Sequence, residues 1–178
     1  MKIVIFSDSH GDVETMSGVV EKEKPDIVIF LGDGIADAEQ IDEKYQDIKM
    51  IKVLGNMDSD DEEEEWIKFT EICGKRFIIT HGHTFINEFK DRKQTDENRI
   101  ASRTNMLKTM SENNADILLH GHTHEPYINR TQATPGKTCW IMNPGSIRRE
   151  IGGIFNPVYG VLKFDESGIF EWYFVEVE

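Results

Sequence analysis

Short apolar runs, each ending at a polar loop, recur along the chain. The first run, from Lys2 to Phe6, is rich in β-branched and aromatic residues and stops at Ser7-Asp8-Ser9-His10-Gly11, as is typical of a strand followed by a loop. Asp12 can then cap a helix. Apolar residues recur in this helix at the expected spacing: Val13, Met16, Val19 and Val20. The chain is therefore predicted to open with a strand and a helix.

The same alternation continues through the N-terminal part of the chain. Pro25-Asp26 interrupts the helix, and the run from Ile27 to Leu31 has the continuous apolar character of a fully buried strand. A second helix is predicted over Asp37 to Tyr45, and a third strand over Ile48 to Leu54. This order of strands and helices predicts parallel strands joined by helical crossovers.

The pattern changes in the rest of the chain. The segments Trp66 to Ile72 and Arg76 to Thr80 flank Cys73-Gly74-Lys75, which predicts an antiparallel hairpin. A helix from about Asp96 to Met110 precedes a short buried strand at Asp116 to Leu119. Most of the remainder is predicted to be strand, in three runs: Lys137 to Met142, Tyr159 to Phe164 and Phe170 to Val175.

Length, charge and the two cysteines narrow the class of protein. The 178 residues suit one domain, and no internal repeat or flexible linker divides them. A formal net charge of −13 argues against a basic surface for long nucleic acids, but small phosphorylated substrates remain compatible with it. No apolar run is long enough for a signal-peptide core or a membrane span, and Cys73 and Cys139 show no paired metal spacing. We therefore expect a single domain over residues 1–178, reduced and cytoplasmic, without a membrane partner.

Polar side chains suited to metal binding follow five of the predicted strands. Each loop combines glycine with His, Asp or Asn. The five loops are Ser7 to Gly11, Gly32 to Gly34, Gly55-Asn56, His81 to His83 and His120 to His124. In open α/β sheets, ligands bind beyond the carboxyl ends of the strands. The five loops are therefore expected to converge on one site.

The strongest individual signal is His120-Gly121-His122-Thr123-His124. Three of the six histidines lie within these five residues, directly after a buried strand. Imidazole is the commonest nitrogen ligand for divalent transition metals, and Gly121 would allow the chain to turn so that His122 and His124 point inward. This segment therefore favours metal binding.

The other loops are ambiguous when each is taken alone. Asp8 and His10 lie two residues apart, so in an extended segment both would face one cation, but Asp8 could equally cap a turn. Asp33 lies between two glycines, and both it and Asn56 are also ordinary turn residues. A lone histidine at a strand end, such as His81, is more often a hydrogen-bonded structural residue than a metal ligand.

Taken together, the loops resemble the calcineurin-like metallophosphoesterase superfamily. The match keeps the order D-x-H, G-D, G-N, H and G-H-x-H across most of the chain. The short length, His81-Gly82-His83 and Asn143-Pro144-Gly145-Ser146 are similar to its small prokaryotic phosphodiesterase branch. That branch is related to the metallophosphoesterase-fold subunit of the retromer complex.

The resemblance implies an α/β fold and a two-metal site. The fold would be a four-layer αββα sandwich of two mixed β-sheets flanked by helices. One metal would be held by Asp8, His10 and His124, with Asp33 bridging to a second. The second would be completed by Asn56, His81 and His122. Mixed oxygen and nitrogen ligands suit manganese, our first expectation, and also nickel, iron or zinc.

The implied function is hydrolysis of small phosphodiesters by in-line attack of a hydroxide bridging two divalent metals. The chain departs from the phosphomonoesterases of the superfamily, many of which have His after the metal-binding Asn, because Met57 follows Asn56 here. A thioether cannot protonate a leaving oxygen, so leaving groups that depart without protonation are expected to be preferred. The candidate for a replacement general acid is His83. Three residues are expected beside the ligands or at the substrate: Asp58, His120 and Arg148.

Several alternatives stay open at this level. A phosphomonoesterase, a nucleotide pyrophosphatase or a non-catalytic protein-interaction module of the same fold would share much of the pattern. Apolar residues of the C-terminal strands either fill the core or support a homodimer or higher homo-oligomer. Five basic residues are either solvated on the surface or placed to contact the second substituent of a diester: Lys90, Arg92, Lys93, Arg148 and Arg149.

Overall fold

The computed structural model describes residues 1–59, 64–86, 96–148 and 156–177. Lys90, Arg92, Lys93 and Arg149 lie outside the described residues. The elements in chain order are β1 Lys2–Phe6, α1 Val13–Glu23, β2 Ile27–Phe30, α2 Ile35–Lys44, β3 Lys49–Lys52, β4 Ile67–Ile72, β5 Lys75–Thr80, α3 Asp96–Glu112, β6 Ile117–Leu119, β7 Tyr127–Thr134, β8 Lys137–Asn143, β9 Val158–Phe164 and β10 Phe170–Glu176.

The strands form two mixed five-stranded sheets. Sheet A has the order β10-β9-β1-β2-β3, in which β1, β2 and β3 are parallel, as predicted, and β9 and β10 are antiparallel additions. Sheet B has the order β4-β5-β6-β8-β7. Its central strands β5, β6 and β8 are parallel, whereas β4 and β7 pair antiparallel at the edges. The predicted β4–β5 hairpin is confirmed.

Alternation along the strands gives the molecule three apolar cores. Ile3 faces sheet B and lies in a core that includes Phe77, between the two sheets. Val4 faces the other way and packs with Met16 of α1. Met110 of α3 lies in the third core, on the outer face of sheet B. The layers are therefore helix, sheet, sheet and helix, which confirms the predicted αββα sandwich.

Most element bounds agree with the sequence predictions to within two residues. The helix α2 begins at Ile35 rather than at Asp37, because its first N–H groups donate to a carboxylate distant in sequence, that of Asp58. The strand β7 had no prediction of its own, since its sequence, YINRTQAT, is largely polar.

The C-terminal strand contributes to the core. Phe170 and Trp172 of β10 pack against the apolar residues between the sheets. These side chains therefore fill the core, which was one of the two alternatives expected for the C-terminal strands. A homo-oligomer stays a prediction. Among the described residues, none of the helices has the length and apolar character needed to cross a membrane.

Candidate metal centre

The five predicted loops meet where the carboxyl ends of the parallel strands approach one another. Within sheet A, the Asp8 N–H donates to the Gly32 carbonyl at 3.0 Å, and within sheet B, the Gly121 N–H donates to the His81 carbonyl at 2.9 Å. Between the sheets, the His122 N–H donates to Asp8 Oδ2 at 3.1 Å. Loops separated by more than a hundred residues are thus joined directly.

Left-handed backbone is concentrated in these loops. Eight non-glycine residues have positive φ in the part of the chain that the structure describes. Five of the eight are predicted ligands, with φ between 44° and 68°: Asp8, His10, Asp33, His122 and His124. L-residues seldom adopt this conformation, and it persists where the surrounding structure enforces it, typically at functional sites. The residues with left-handed backbone are therefore largely the same ones that the sequence motifs indicate as ligands.

One cluster of ligand atoms comes from Asp8, His10 and His124. Their ligand atoms all lie within 4.8 Å of one another. Asp8 is fully buried, whereas the two imidazoles are partly exposed. His124 Nε2 lies 3.2 Å from Asp8 Oδ1. We call this cluster group 1.

A second cluster comes from Asp33, His81 and His122, again with ligand atoms within 4.8 Å of one another. His81 Nε2 lies 3.3 Å from Asp33 Oδ2 and 3.2 Å from His122 Nδ1. The amide oxygen of Asn56 is 3.1 Å from the same Nε2. We call these four residues group 2. The structure therefore assembles the seven predicted ligands in two clusters.

The two groups are adjacent and electrostatically coupled. His81 Nε2 of group 2 lies 3.9 Å from Asp8 Oδ1 of group 1. Burial opposes ionisation of Asp33, but its hydrogen bond to His81 and the charges of His81 and His10 lower the pKa of this carboxyl overall. Asp33 is therefore an ionised carboxylate within the influence of both groups.

The hydrogen bonds of His81 fix its tautomer. Its Nδ1 lies 2.7 Å from the Leu31 carbonyl oxygen, which can only accept, so Nδ1 carries a proton and the neutral ring presents a lone pair at Nε2. That lone pair faces other acceptors, the oxygens of Asp33 and Asn56. Burial lowers the pKa of His81, but Asp33 and Asp8 raise it overall. The surroundings thus favour a positive charge at this point.

This donor set fits a pair of divalent cations. Lone pairs of carboxylate, amide and imidazole groups converge in each cluster, and a cation would satisfy them together, as in known mixed-ligand transition-metal sites. Burial, together with the charge of His81, lowers the pKa of His122 to about 4. This imidazole is therefore neutral at physiological pH, the state in which histidine binds metal.

Asp58 holds two of the ligand loops together. Its Oδ2 accepts from the N–H groups of Asp33 at 2.9 Å and Gly55 at 2.8 Å. Its Oδ1 accepts from the N–H groups of Gly34 at 2.8 Å and Ile35 at 2.9 Å. One carboxylate therefore caps α2 and fixes the backbone on both sides of the Asp33 and Asn56 side chains.

Three other residues fix the ligand loops. Asn143 and Ser146 belong to the Asn-Pro-Gly-Ser segment named in the resemblance, whereas Asp37 had no functional signal in the sequence. Asp37 accepts from Ser9 Oγ at 2.6 Å and from the Gly11 N–H at 2.7 Å, which holds the loop on both sides of His10. Ser146 donates to the Asp8 carbonyl at 2.9 Å. Asn143 donates to the Gly121 carbonyl at 2.8 Å and to Thr123 Oγ1 at 3.0 Å. These partners are separated by 20 or more residues in most cases, so local pattern cannot identify them.

The glycines that precede the ligands are required by close packing between loops. A Cβ on Gly32 would lie 2.5 Å from the Gly55 nitrogen, and a Cβ on Gly55 or Gly121 would overlap Asp33 or Ser7 respectively. The loops can touch only because no side chain intervenes.

The remaining predicted residues occupy three different positions. The ring centroids of His83 and His81 are 5.5 Å apart, and both nitrogens of His83 are buried with no hydrogen-bond partner among the residues that the structure describes. Burial, followed by the charge of His81, lowers the pKa of His83. His120 lies behind the loop, where Nδ1 donates to the Gly121 carbonyl at 3.0 Å and Nε2 accepts from the Tyr127 hydroxyl. Arg148 is exposed, and within the described residues no contact joins its guanidinium to either group.

Comparison with known proteins agrees with this geometry. Residues 1–167 match the model of the calcineurin-like phosphoesterase superfamily domain. A protein of Mycoplasma pneumoniae described as a "probable metallophosphoesterase" is 28% identical over 146 residues, which are 82% of this chain and 79% of that protein. The crystal structure of a predicted phosphoesterase from Streptococcus pneumoniae has a TM-score of 0.71 and 28% identity, covering 98% of this chain and 88% of that one.

Two less similar structures share the fold. An archaeal phosphodiesterase has a TM-score of 0.64 at 21% identity, with 98% of this chain and 100% of that chain covered. Vps29 of Entamoeba histolytica in complex with zinc has a TM-score of 0.65 at 18% identity, with 99% of each chain covered. On the strength of the match over residues 1–167, this chain belongs to the calcineurin-like phosphoesterase superfamily.

Proposed function

We propose that this protein is a metal-dependent phosphodiesterase that hydrolyses small phosphodiesters. The observation that carries the proposal is the contact between group 1 and group 2, in which His81 Nε2 lies 3.9 Å from Asp8 Oδ1. Two divalent cations held by these groups would supply the chemistry of the reaction, an activated water and positive charge opposite the phosphate. Asp8, His10 and His124 would hold one cation, and Asp33, Asn56, His81 and His122 the other. We propose manganese as the metal.

The chain's own residues keep these ligands oriented before substrate binds. The Leu31 carbonyl fixes the His81 ring, and the Met57 N–H donates to Asp33 Oδ1 at 2.8 Å. The His122 N–H donates to Asp8 Oδ2. Ligands held by such outer partners need little reorganisation during the reaction.

A diester preference is supported by the residues next to the ligands. Met57 is 71% exposed and cannot donate a proton to a leaving oxygen. Within the described residues, neither nitrogen of His83 has a hydrogen-bond partner, and its ring lies against that of Trp66, tilted by 55° with the centroids 4.6 Å apart. We assign His83 as the hydrogen-bond donor to the leaving oxygen. The archaeal phosphodiesterase of the same fold is consistent with this choice.

The decisive experiment combines metal analysis with hydrolysis. The purified protein is assayed with manganese on bis(4-nitrophenyl) phosphate and on 4-nitrophenyl phosphate, and we expect a higher kcat/KM for the diester. His122→Ala should lose this activity, whereas Lys108→Ala, an exposed change on α3, should keep it. Bound metal without turnover would contradict the enzyme assignment and favour a binding role. Neither metal nor turnover would favour the protein-interaction alternative.

The role of His83 is tested with leaving groups. The substrate is an alkyl nitrophenyl phosphodiester, which can lose either the alkoxide or the nitrophenolate. We expect His83→Ala to slow loss of the alkoxide by about 10²-fold or more, and to slow loss of the nitrophenolate far less. His83→Asn, which keeps an N–H donor, should restore part of the lost rate. Equal losses with both leaving groups would refute the assignment.

A further inference from the structure

A cavity of about 400 Å³ opens beside the ligand loop. It lies between α3 and the strands β7 and β8 of sheet B. Its apolar floor contains Met106 and Ile141, and its rim carries Arg99, Arg103 and Glu125. This volume falls in the range of roughly 300–1,000 Å³ that small-molecule sites occupy.

The cavity shares a wall with the candidate metal centre. Thr123, which lies between the predicted ligands His122 and His124, lines it. The Thr123 side chain is fixed by Asn143 Nδ2 at 3.0 Å. The loop that carries His122 and His124 therefore also forms part of the cavity wall.

The floor of the cavity is pre-formed. His120 is fully buried, and its Nε2 accepts from the Tyr127 hydroxyl; both residues line the cavity. Their ring centroids are 5.4 Å apart. Since both polar groups are satisfied by each other, they offer a rigid, largely uncharged surface on which a ring or sugar can pack.

The rim has the opposite sign of charge from the protein as a whole. The chain carries a net charge of −13, yet among the described residues two guanidinium groups and one carboxylate line this cavity. Arg103 is held over it, because its Nη2 donates to Asn129 Oδ1 at 3.1 Å and Thr131 Oγ1 at 3.4 Å. A local excess of positive charge in an acidic protein attracts anions to that point, and guanidinium groups match phosphate and carboxylate oxygens.

We propose that this cavity is a substrate subsite that binds the retained substituent of the phosphodiester, an organic group of nucleoside size ending in an anion. The assignment rests on the proposed function, because it places the scissile phosphate at the candidate metal centre and the retained substituent beyond Thr123. The apolar floor packs against the body of the substituent, and Arg99 and Arg103 bind its anionic end. The nitrophenyl leaving group lies outside the cavity.

Two substrates with the same leaving group test the subsite. One is thymidine 5′-(4-nitrophenyl phosphate), and the other is the same compound with an added 3′-phosphate. We expect a higher kcat/KM for the compound with the 3′-phosphate, and we expect Arg103→Ala or Arg99→Ala to reduce that preference by roughly five- to tenfold. Arg103→Lys should keep part of the preference. Lys108→Ala removes an exposed cation from the same helix outside the cavity and should leave the preference unchanged.

Binding without turnover separates this proposal from the proposed function. Thymidine 3′,5′-bisphosphate is titrated into the purified protein, with its affinity measured by calorimetry and its position by amide shifts in NMR. We expect shifts at Thr123, Tyr127 and Asn129, and weaker binding to Arg103→Ala. Should hydrolysis fail while these shifts appear, the subsite stands and the enzyme assignment falls. Equal preference for both esters in every variant, or shifts confined to other parts of the chain, would overturn the subsite.

Discussion

The two sheets contribute different chemistry to the candidate metal centre. Loops of sheet A supply its oxygen donors, Asp8, Asp33 and Asn56, and one imidazole, that of His10. Loops of sheet B supply imidazoles: His81, His122 and His124. Each group takes ligands from both sheets. A cation bound in either group would therefore join the sheets, so that metal binding and packing between the sheets are coupled.

The sheets also hold their ligands in different ways. On the sheet A side, buried or partly buried carboxylates of Asp37 and Asp58 bind backbone N–H groups of the ligand loops. On the sheet B side, neutral groups hold the ligands: the Asn143 amide donates to the Gly121 carbonyl, and the Leu31 carbonyl accepts from the His81 ring. The difference keeps the carboxylates on the sheet A side and most of the imidazoles on the sheet B side, which suits a mixed oxygen and nitrogen site.

The largest effect is expected from His81→Ala, since His81 contacts ligands from both sheets. It lies within hydrogen-bonding distance of Asp33 and Asn56 and 3.9 Å from Asp8. We expect kcat/KM for bis(4-nitrophenyl) phosphate to fall by about 10²–10³-fold. A matched His10→Ala variant tests whether group 1 matters equally. A loss of less than tenfold for His81→Ala would remove the central role given to it.

Metal binding should stabilise the fold, because it joins the sheets. At about 100 times its Kd, manganese would add about 2.7 kcal/mol to the free energy of unfolding, which raises Tm by about 5–10 °C in a protein of this size. Thermal unfolding with manganese and with a chelator measures the shift. His122→Ala should lose most of it. An equal shift in the variant would show that the metal binds elsewhere.

Asp58→Asn should disturb only the ligand loops of sheet A, those that carry Asp33 and Asn56. The amide oxygen can replace only part of a carboxylate that accepts four backbone N–H groups. We expect a 10–100-fold loss in manganese affinity or in activity, as is usual for residues that orient ligands. Asp42→Asn, an exposed change on α2, is the matched control. If both variants bind manganese equally well, Asp58 does not position the ligands.

The smallest effect is expected at the far end of sheet A, where Glu23 joins α1 to β1 and β9. Burial raises the pKa of Glu23, but Lys2 at 3.1 Å and the Tyr159 hydroxyl at 3.0 Å lower it overall from 4.5. A carboxyl with a lowered pKa stabilises the folded state above its unfolded pKa and loses this contribution as pH falls through the folded value.

Glu23→Gln should therefore cost less than about 1 kcal/mol near neutral pH, and the difference from the wild type should shrink in urea unfolding below about pH 4. Glu112→Gln, on exposed α3 surface, serves as the control. A difference that stays constant with pH would mean that packing, and not charge, links Glu23 to the sheet.

Local pattern predicted the elements well because each carries its own signal. The apolar run Ile27 to Leu31 could only be a buried strand, and Cys73-Gly74 turns the β4–β5 hairpin with φ values of 50° and 70°. The polar strand β7 was missed, because its stability comes from pairing with β8. The start of α2 was misplaced, since its cap comes from Asp58. A single domain, cytoplasmic location and the metal itself stay predictions.

The sequence by itself determined the strand and helix order, the five glycine-containing loops and the residue types able to bind metal, because these depend on neighbours along the chain. The family resemblance implied the division of the ligands between two metals. Only the tertiary structure decided how the loops contact one another, and that Asp37, Asp58 and Asn143 hold them. It also decided that His120 faces Tyr127 and the cavity. These facts depend on hydrogen bonds and packing between residues far apart in sequence, and no local pattern encodes such contacts.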